Sequence, residues 1–351
     1  MRFRLLFIAA LTLIAAMTGL PPGGGTARAQ FDDFPTHGRF CTATATAMLE
    51  SCKSEGEPDY WKSVAGCLNI DDDEERGECF DEATAERREN AQLCQSQYLA
   101  RRGVCDAVGE DRYDPEFEPQ LFDNDFTRLT NPNRFMPLGI GNRWDYRGGS
   151  ETVTVTVLNK TKLIDEVTCV VVNDKVSENG QLVEDTDDWF AQARNGDVYY
   201  CGEQVKDFEV FEGDNPKEAE LVSIEGSFKA GNDEGDKTGI IFRGSPTQGE
   251  VYRQEFSLGN AEDVAEVLTT TYAFGRNSAL DRFVPKALAD LFCPGDCVVT
   301  KELNPLEPGP FELKYFAPRV GMFLEIDPGT GEVVRLVGCN FDSRCNVLAG
   351  Q

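Results

Sequence analysis

Residues 151–158 read ETVTVTVL, with Val153, Val155 and Val157 on one side of an extended chain and Thr152, Thr154 and Thr156 on the other. Successive side chains of a strand point to opposite faces, so this period of two predicts a strand with an apolar inner face and a polar outer one. The same reading extends outward. VTCVVVNDKV (167–176), QLVEDTDDWFAQ (181–192) and DVYYCGE (197–203) follow as strands, separated near Asn179-Gly180 and Asn195-Gly196. Asn-Gly tolerates the positive φ angles of a type I′ turn, so both sites are expected to be tight hairpins of a meander.

Further strands are expected at AELVSIEGSF, GIIFRG, VYRQEFSL, AEVLTTTYAF, CVVTKELNPL, FELKYFAP, GMFLEID and EVVRLVGC, with Gly- and Pro-bearing loops such as EPGP and DPGTGE between them. LDRFVPKALADLF (280–292) reads as a short helix packed on the sheet. About a dozen strands with little helix predict an antiparallel, curved sheet or open barrel over residues 134–345, with a tail at 346–351.

The front of the chain follows a different rule. Its six cysteines, at 41, 52, 67, 79, 94 and 105, are separated by 10, 14, 11, 14 and 10 residues, a spacing that is mirror-symmetric about residue 73. Eleven residues return a helix to nearly the same face, so Cys41 and Cys52 share one stripe and Cys94 and Cys105 another. Two antiparallel helical arms over residues 39–107 bring each cysteine to its mirror image, predicting the pairs Cys41–Cys105, Cys52–Cys94 and Cys67–Cys79. The first arm is expected to break at Glu55-Gly56-Glu57-Pro58. The second, from about Glu74 to Ala107, is capped by Asp71-Asp72-Asp73, whose carboxylates suit the positive end of a helix. The acidic run CLNIDDDEERGEC is therefore a bend; it lacks the ligand order of a calcium loop. The fold class is α+β: a disulfide-stapled helical hairpin followed by the β domain, joined by an acidic, proline-bearing linker over 108–133 that either spans freely or lies on a neighbouring surface.

The other six cysteines fit the β domain. Cys293 and Cys297 flank Pro-Gly-Asp, Cys339 and Cys345 flank Asn-Phe-Asp-Ser-Arg, and Cys169 and Cys201 lie on strands that the two Asn-Gly turns bring close. Twelve cysteines, an even count, belong to an oxidising compartment. Residues 1–29 agree: Arg2 and Arg4, the apolar run LLFIAALTLIAAM, and Ala27-Arg28-Ala29 before Gln30 read as a secretory signal peptide. Residues 30–38 read as a flexible lead. No other segment approaches the roughly 20 apolar residues of a membrane helix. The expected location is the periplasm or the secreted fraction.

The chain carries 61 acidic and 34 basic residues, a formal charge of −27. Such a surface repels phosphates, so nucleic acid is excluded as a partner, while cations are attracted. The single histidine, His37, lies in the lead segment. Serine and cysteine hydrolases need a histidine base, and catalytic zinc, iron and copper sites lean on histidine ligands, so no metal or cofactor is expected. Carboxylate chemistry survives this filter. The best local cluster is Asp185, Asp187 and Asp188 beside Trp189, with Glu203 after the next hairpin; a glycosidase-like pair needs two carboxyls roughly 5–9 Å apart. Alternatively Trp144, Tyr146, Trp189, Tyr199, Tyr315, Phe316 and Phe323 line a hollow in the curved sheet and hold an apolar ligand.

Four stretches carry a resemblance: Pro137-Leu138-x-x-Gly141-x-x-Trp144-x-Tyr146-x-Gly148; Asp188-Trp189-Phe190-Ala191-Gln192 with Gly196-Asp197-Val198-Tyr199-Tyr200-x-Gly202-Glu203; Tyr252-Arg253-Gln254-Glu255; and Lys314-Tyr315-Phe316-Ala317-Pro318-x-Val320-Gly321. Together, over about residues 131–337, they are similar to an uncharacterised family of exported bacterial β-rich proteins, some with a cysteine-bearing helical leader. The resemblance implies a β-rich exported domain and carries no activity. The expectation is a non-enzymatic structural or binding module with an unknown protein or an apolar ligand as partner. Its alternatives are a carrier of a lipid or other apolar ligand, and third a carboxylate-dependent hydrolase.

Overall fold

The computed structural model describes residues 38–231 and 235–350. The expected signal peptide, and the lead segment with His37 apart from Gly38, lie outside the described residues. The chain divides into two compact units, one ending at Tyr113 and one beginning at Asp114.

In the first unit α1 (Phe40–Cys67) and α2 (Asp73–Val108) run antiparallel. Each thiol is joined to its mirror image: Cys41 to Cys105, Cys52 to Cys94 and Cys67 to Cys79. Few side chains are buried between the arms, among them Ala45, Leu49, Ala83 and Val104. So little apolar area cannot hold two helices, and disulfides worth roughly 2–4 kcal/mol each make up the deficit. The Asp72 carboxylate accepts from the Glu74 and Glu75 N–H groups, both at 2.9 Å, and caps α2. Glu110, just past α2, caps α1 in turn: its carboxylate accepts from the Thr42 N–H at 2.9 Å and from the Thr42 hydroxyl. The break expected at residues 55–58 is absent, and α1 continues through Pro58. An interior proline costs a helix about 3 kcal/mol. Here the disulfides of Cys52 and Cys67 clamp the helix on both sides of it, and Glu57 accepts from Arg87 Nε of α2 at 3.0 Å.

The second unit holds fifteen strands among the described residues. The first five are β1 (Arg143–Gly148), β2 (Glu151–Ile164), β3 (Val167–Glu178), β4 (Gln181–Gln192) and β5 (Val198–Gln204). Then come β6 (Asp207–Glu209), β7 (Glu220–Ser223), β8 (Phe228–Lys229), β9 (Gly239–Phe242), β10 (Val251–Arg253) and β11 (Val264–Tyr272). After the short helix α3 (Lys286–Phe292), β12 (Cys297–Leu303), β13 (Glu312–Ala317), β14 (Gly321–Ile326) and β15 (Val333–Cys339) finish the sheet. Its main path runs β10-β11-β12-β13-β14-β15-β1-β2-β3-β4-β5-β8, antiparallel throughout. Pairing of β15 with β1 joins the last meander to the first.

The path curls until its ends meet. β9 pairs with β5, and a bridge between Lys237 and Phe256 ties the approach to β9 to the chain leaving β10. At Gly239 the two backbones are so close that a Cβ would lie 1.7 Å from the Gln254 carbonyl oxygen. Asn179 and Gly180 both have positive φ, 51° and 83°, as a type I′ turn demands. At Asn195-Gly196 only the glycine does, at 98°, because the Asn195 side chain is engaged with Asp197.

Both faces of this sheet are covered, so the alternation of β2 is not general. The segment 114–133 lies on the outer face rather than spanning freely: Phe122 bridges to Ala193 and meets Phe117 and Tyr199 edge to face, with Phe117 tilted against Tyr199. The Cys169–Cys201 disulfide and Trp189 belong to this outer cluster. Elsewhere α3 covers the outer face, with Phe292 against Phe323 and Tyr315 donating its hydroxyl to the Leu280 carbonyl at 2.6 Å. Cys293–Cys297 and Cys339–Cys345 close local loops. Among the described residues no helix is long and apolar enough to cross a membrane.

Candidate functional site

The inward faces of the curled sheet form two layers. In the first, β1 contributes Trp144 and Tyr146, β2 Val155 and Val157, β3 Val172, β4 Phe190, β13 Phe316 and β14 Met322. They surround a hollow of about 50 Å3, against roughly 10–15 Å3 for one water on the same measure. The ring nitrogen of Trp144 donates to the Val320 carbonyl at 2.6 Å and the Tyr146 hydroxyl to that of Met322 at 3.1 Å. Both aromatic tips are thereby satisfied in the wall, and an apolar lining is left facing the hollow. Gln254 and Glu302 complete the wall on one side.

Beyond them lies the second layer, which is acidic. Register places Asp174, Asp188, Glu203, Glu302, Lys314 and Glu325 on the same inward face as the apolar residues, since Val172 pairs with Asp188, Asp188 with Glu203, and Lys314 with Glu325. Lys314 is 3 % exposed at its side chain, with Nζ 2.9 Å from Glu302, 3.4 Å from Glu312 and 3.7 Å from Glu325. Burial works against its charge, but these three carboxylates together hold its pKa well above the usual lysine value. Asp188 accepts from the Tyr200 hydroxyl at 2.8 Å.

Burial first, and neighbouring carboxyls second, push Asp174, Asp188, Glu203 and Glu325 well above the ordinary carboxylate range. The same causes bring Glu255 to about 8 and Glu151 to about 7. Several acceptors in this region lack a hydrogen-bond partner within the protein: Asp188 Oδ2, Glu203 Oε2, Glu255 Oε2 and the amide oxygen of Gln254. The hydroxyl of Tyr252 is likewise unpartnered.

The residues singled out in the sequence divide between the two faces. Trp144, Tyr146 and Phe316 line the hollow. Trp189 and Tyr199 sit on the outer face under the 114–133 segment, and Lys162 Nζ lies 3.1 Å from the Trp189 ring centroid. Tyr315 and Phe323 face α3. The acidic cluster splits by the pleat. Asp185 and Asp187 point outward, sharing the Asn173 amide and pairing with Lys175 at 3.0 Å and Lys160 at 3.2 Å. Asp188 and Glu203 point inward. A hydrolytic acid and base need pKa values pushed apart. Asp188 and Glu203 are both pushed upward, so this pair lacks that division of roles.

Sequence reasoning missed Gln254, Glu255, Glu302, Lys314 and Glu325. Gln254, Glu255 and Lys314 lie in the quoted stretches, which reach this interior through Trp144 and Tyr146, Asp188 and Glu203, Tyr252 and Gln254, and Lys314 and Phe316; Glu302 and Glu325 lie in none of them.

No protein-family model matches the chain, and no curated protein matches it. Among solved structures it is similar to a chain from Parabacteroides distasonis ATCC 8503, described provisionally as a lipoprotein, at 11% identity and a TM-score of 0.28 over 60% of this chain and 99% of that one. A likeness that slight carries no argument here.

Proposed function

We infer that this chain is an exported binding protein whose curled sheet encloses a small apolar ligand. The observation that carries the reading is the hollow behind Trp144, Tyr146 and Phe316, walled by apolar side chains whose polar tips are already satisfied. An interior built only for stability is packed to crystal-like density, and a free volume of about 50 Å3 is an exception to that rule. The volume suits a short alkyl chain or a single ring rather than a whole lipid, since pockets for larger ligands run to roughly 300–1,000 Å3. Six disulfides with no free cysteine among the described residues support export to an oxidising compartment. The motif resemblance is consistent with an exported β-rich family, and the helical hairpin serves in this reading as a spacer or docking arm.

The test is native mass spectrometry of the protein purified from its own source, beside a Val155→Trp variant that fills the hollow. A small apolar adduct on the wild type, missing from the folded variant, is the expected result. Adduct-free wild type that also fails to take up short alcohols or benzene-sized molecules would sink the reading.

A further inference from the structure

Between the hollow and the acidic layer several buried oxygens have no partner within the protein. Gln254 Oε1 borders the hollow and has no protein partner, although its own amide N–H₂ donates to the Ile241 carbonyl at 3.3 Å. Asp188, Glu203 and Glu255, on neighbouring strands or close in the same region, each keep one unpartnered oxygen. All four residues are no more than 3 % exposed. An amide oxygen can only accept, and burying one unpaired is costly, so the wall at Gln254 asks for a guest that donates.

Charge points the same way. Lys314 is the only buried basic side chain of the β unit among the described residues, and it faces three carboxylates, an excess of two acids in its immediate shell alone. A metal ion does not fit: no group of three His, Cys, Asp or Glu among the described residues is spaced to hold one. The hollow leads to the acidic layer, because Gln254 and Glu302 belong both to its wall and to that layer's edge.

We propose that the acidic layer receives the ammonium or guanidinium head of a small amphiphile whose apolar body lies in the hollow. Gln254 is its first acceptor and Glu302, shared with Lys314, the nearest negative charge. This rests on the binding reading above and specifies the ligand class.

Isothermal titration calorimetry of the folded, oxidised chain with hexylamine, hexanol and hexanoate separates the two claims. Hexylamine is expected to bind at least tenfold more tightly than hexanol, and hexanoate most weakly. Gln254→Leu is expected to weaken hexylamine at least fivefold and hexanol by less, since a charged donor loses more than a neutral hydroxyl, with far-UV circular dichroism confirming the fold. Equal binding of hexylamine and hexanol would overturn the cation head and leave the apolar hollow standing. Failure of all three to bind would overturn both. The wild-type comparison needs no variant, so a misfolded Gln254→Leu leaves the test intact.

Discussion

Lys314 Nζ lies 2.9 Å from Glu302 Oε2 on the adjoining strand, with both side chains shut inside the sheet. Two more carboxylates share that ammonium. Removing one partner of a buried ion pair leaves an uncompensated charge, which typically costs roughly 3–5 kcal/mol. Lys314→Met is therefore expected to lower unfolding stability by about that amount in urea titrations, and adding Glu302→Gln is expected to recover part of it. An unchanged midpoint for Lys314→Met would show the cluster to be unimportant to the fold.

The pH response runs opposite to that of most acidic proteins. A carboxyl whose folded pKa exceeds its unfolded one holds its proton more tightly when folded, so the stability it contributes is present at low pH and lost as pH rises. For Glu255 the window lies between about 4.5 and about 8. Asp174, Asp188, Glu203, Glu312, Glu325 and Asp263 act in the same direction, while Lys314 stays charged throughout. Thermal melts are expected to show the β unit more stable near pH 5 than near pH 8, with the slope reduced in Glu255→Gln. A midpoint that climbs over this range would refute the assignment.

Two glycines make opposite predictions. A methyl group at Gly239 would meet the Gln254 carbonyl oxygen at 1.7 Å, where backbone stands against backbone. Gly239→Ala is expected to force the closure of the sheet apart and cost about 3 kcal/mol or more. Gly66, inside α1 with nothing within 4 Å, gains helix propensity when replaced, so Gly66→Ala is expected to stabilise the helical unit by up to about 1 kcal/mol. Chemical denaturation followed by far-UV and near-UV circular dichroism reads both.

The helical unit depends on its staples. Deleting Cys52–Cys94 through a double alanine variant is expected to remove roughly 2–4 kcal/mol from that unit. Hydrogen exchange should then speed up across α1 and α2 and stay unchanged in β2–β4. Uniform loss of protection in both units would instead mean that they unfold together.

What could be read in the chain alone was whatever follows from local repetition. The mirror spacing of six thiols requires two antiparallel arms, because helical periodicity returns residues eleven apart to one face. The alternation ETVTVTVL marks a strand for the same kind of reason, and it also names the valines that turn inward. Pro58 was misread because local propensity opposes a helix there while covalent clamps on either side override it. The inward set was the larger blind spot. Period two separates Glu312, Lys314 and Phe316 from Leu313, Tyr315 and Ala317, but it cannot say which set faces inside once both faces are buried. Hydrophobicity alone would turn Leu313 and Tyr315 inward; the curl of the sheet and the cover of α3 turn Lys314 inward instead. The same pleat sends Asp187 to solvent and Asp188 to the interior one residue later. Closure of the sheet, a property of all the strands at once, decided which charges would share a buried space and so where a ligand could be held.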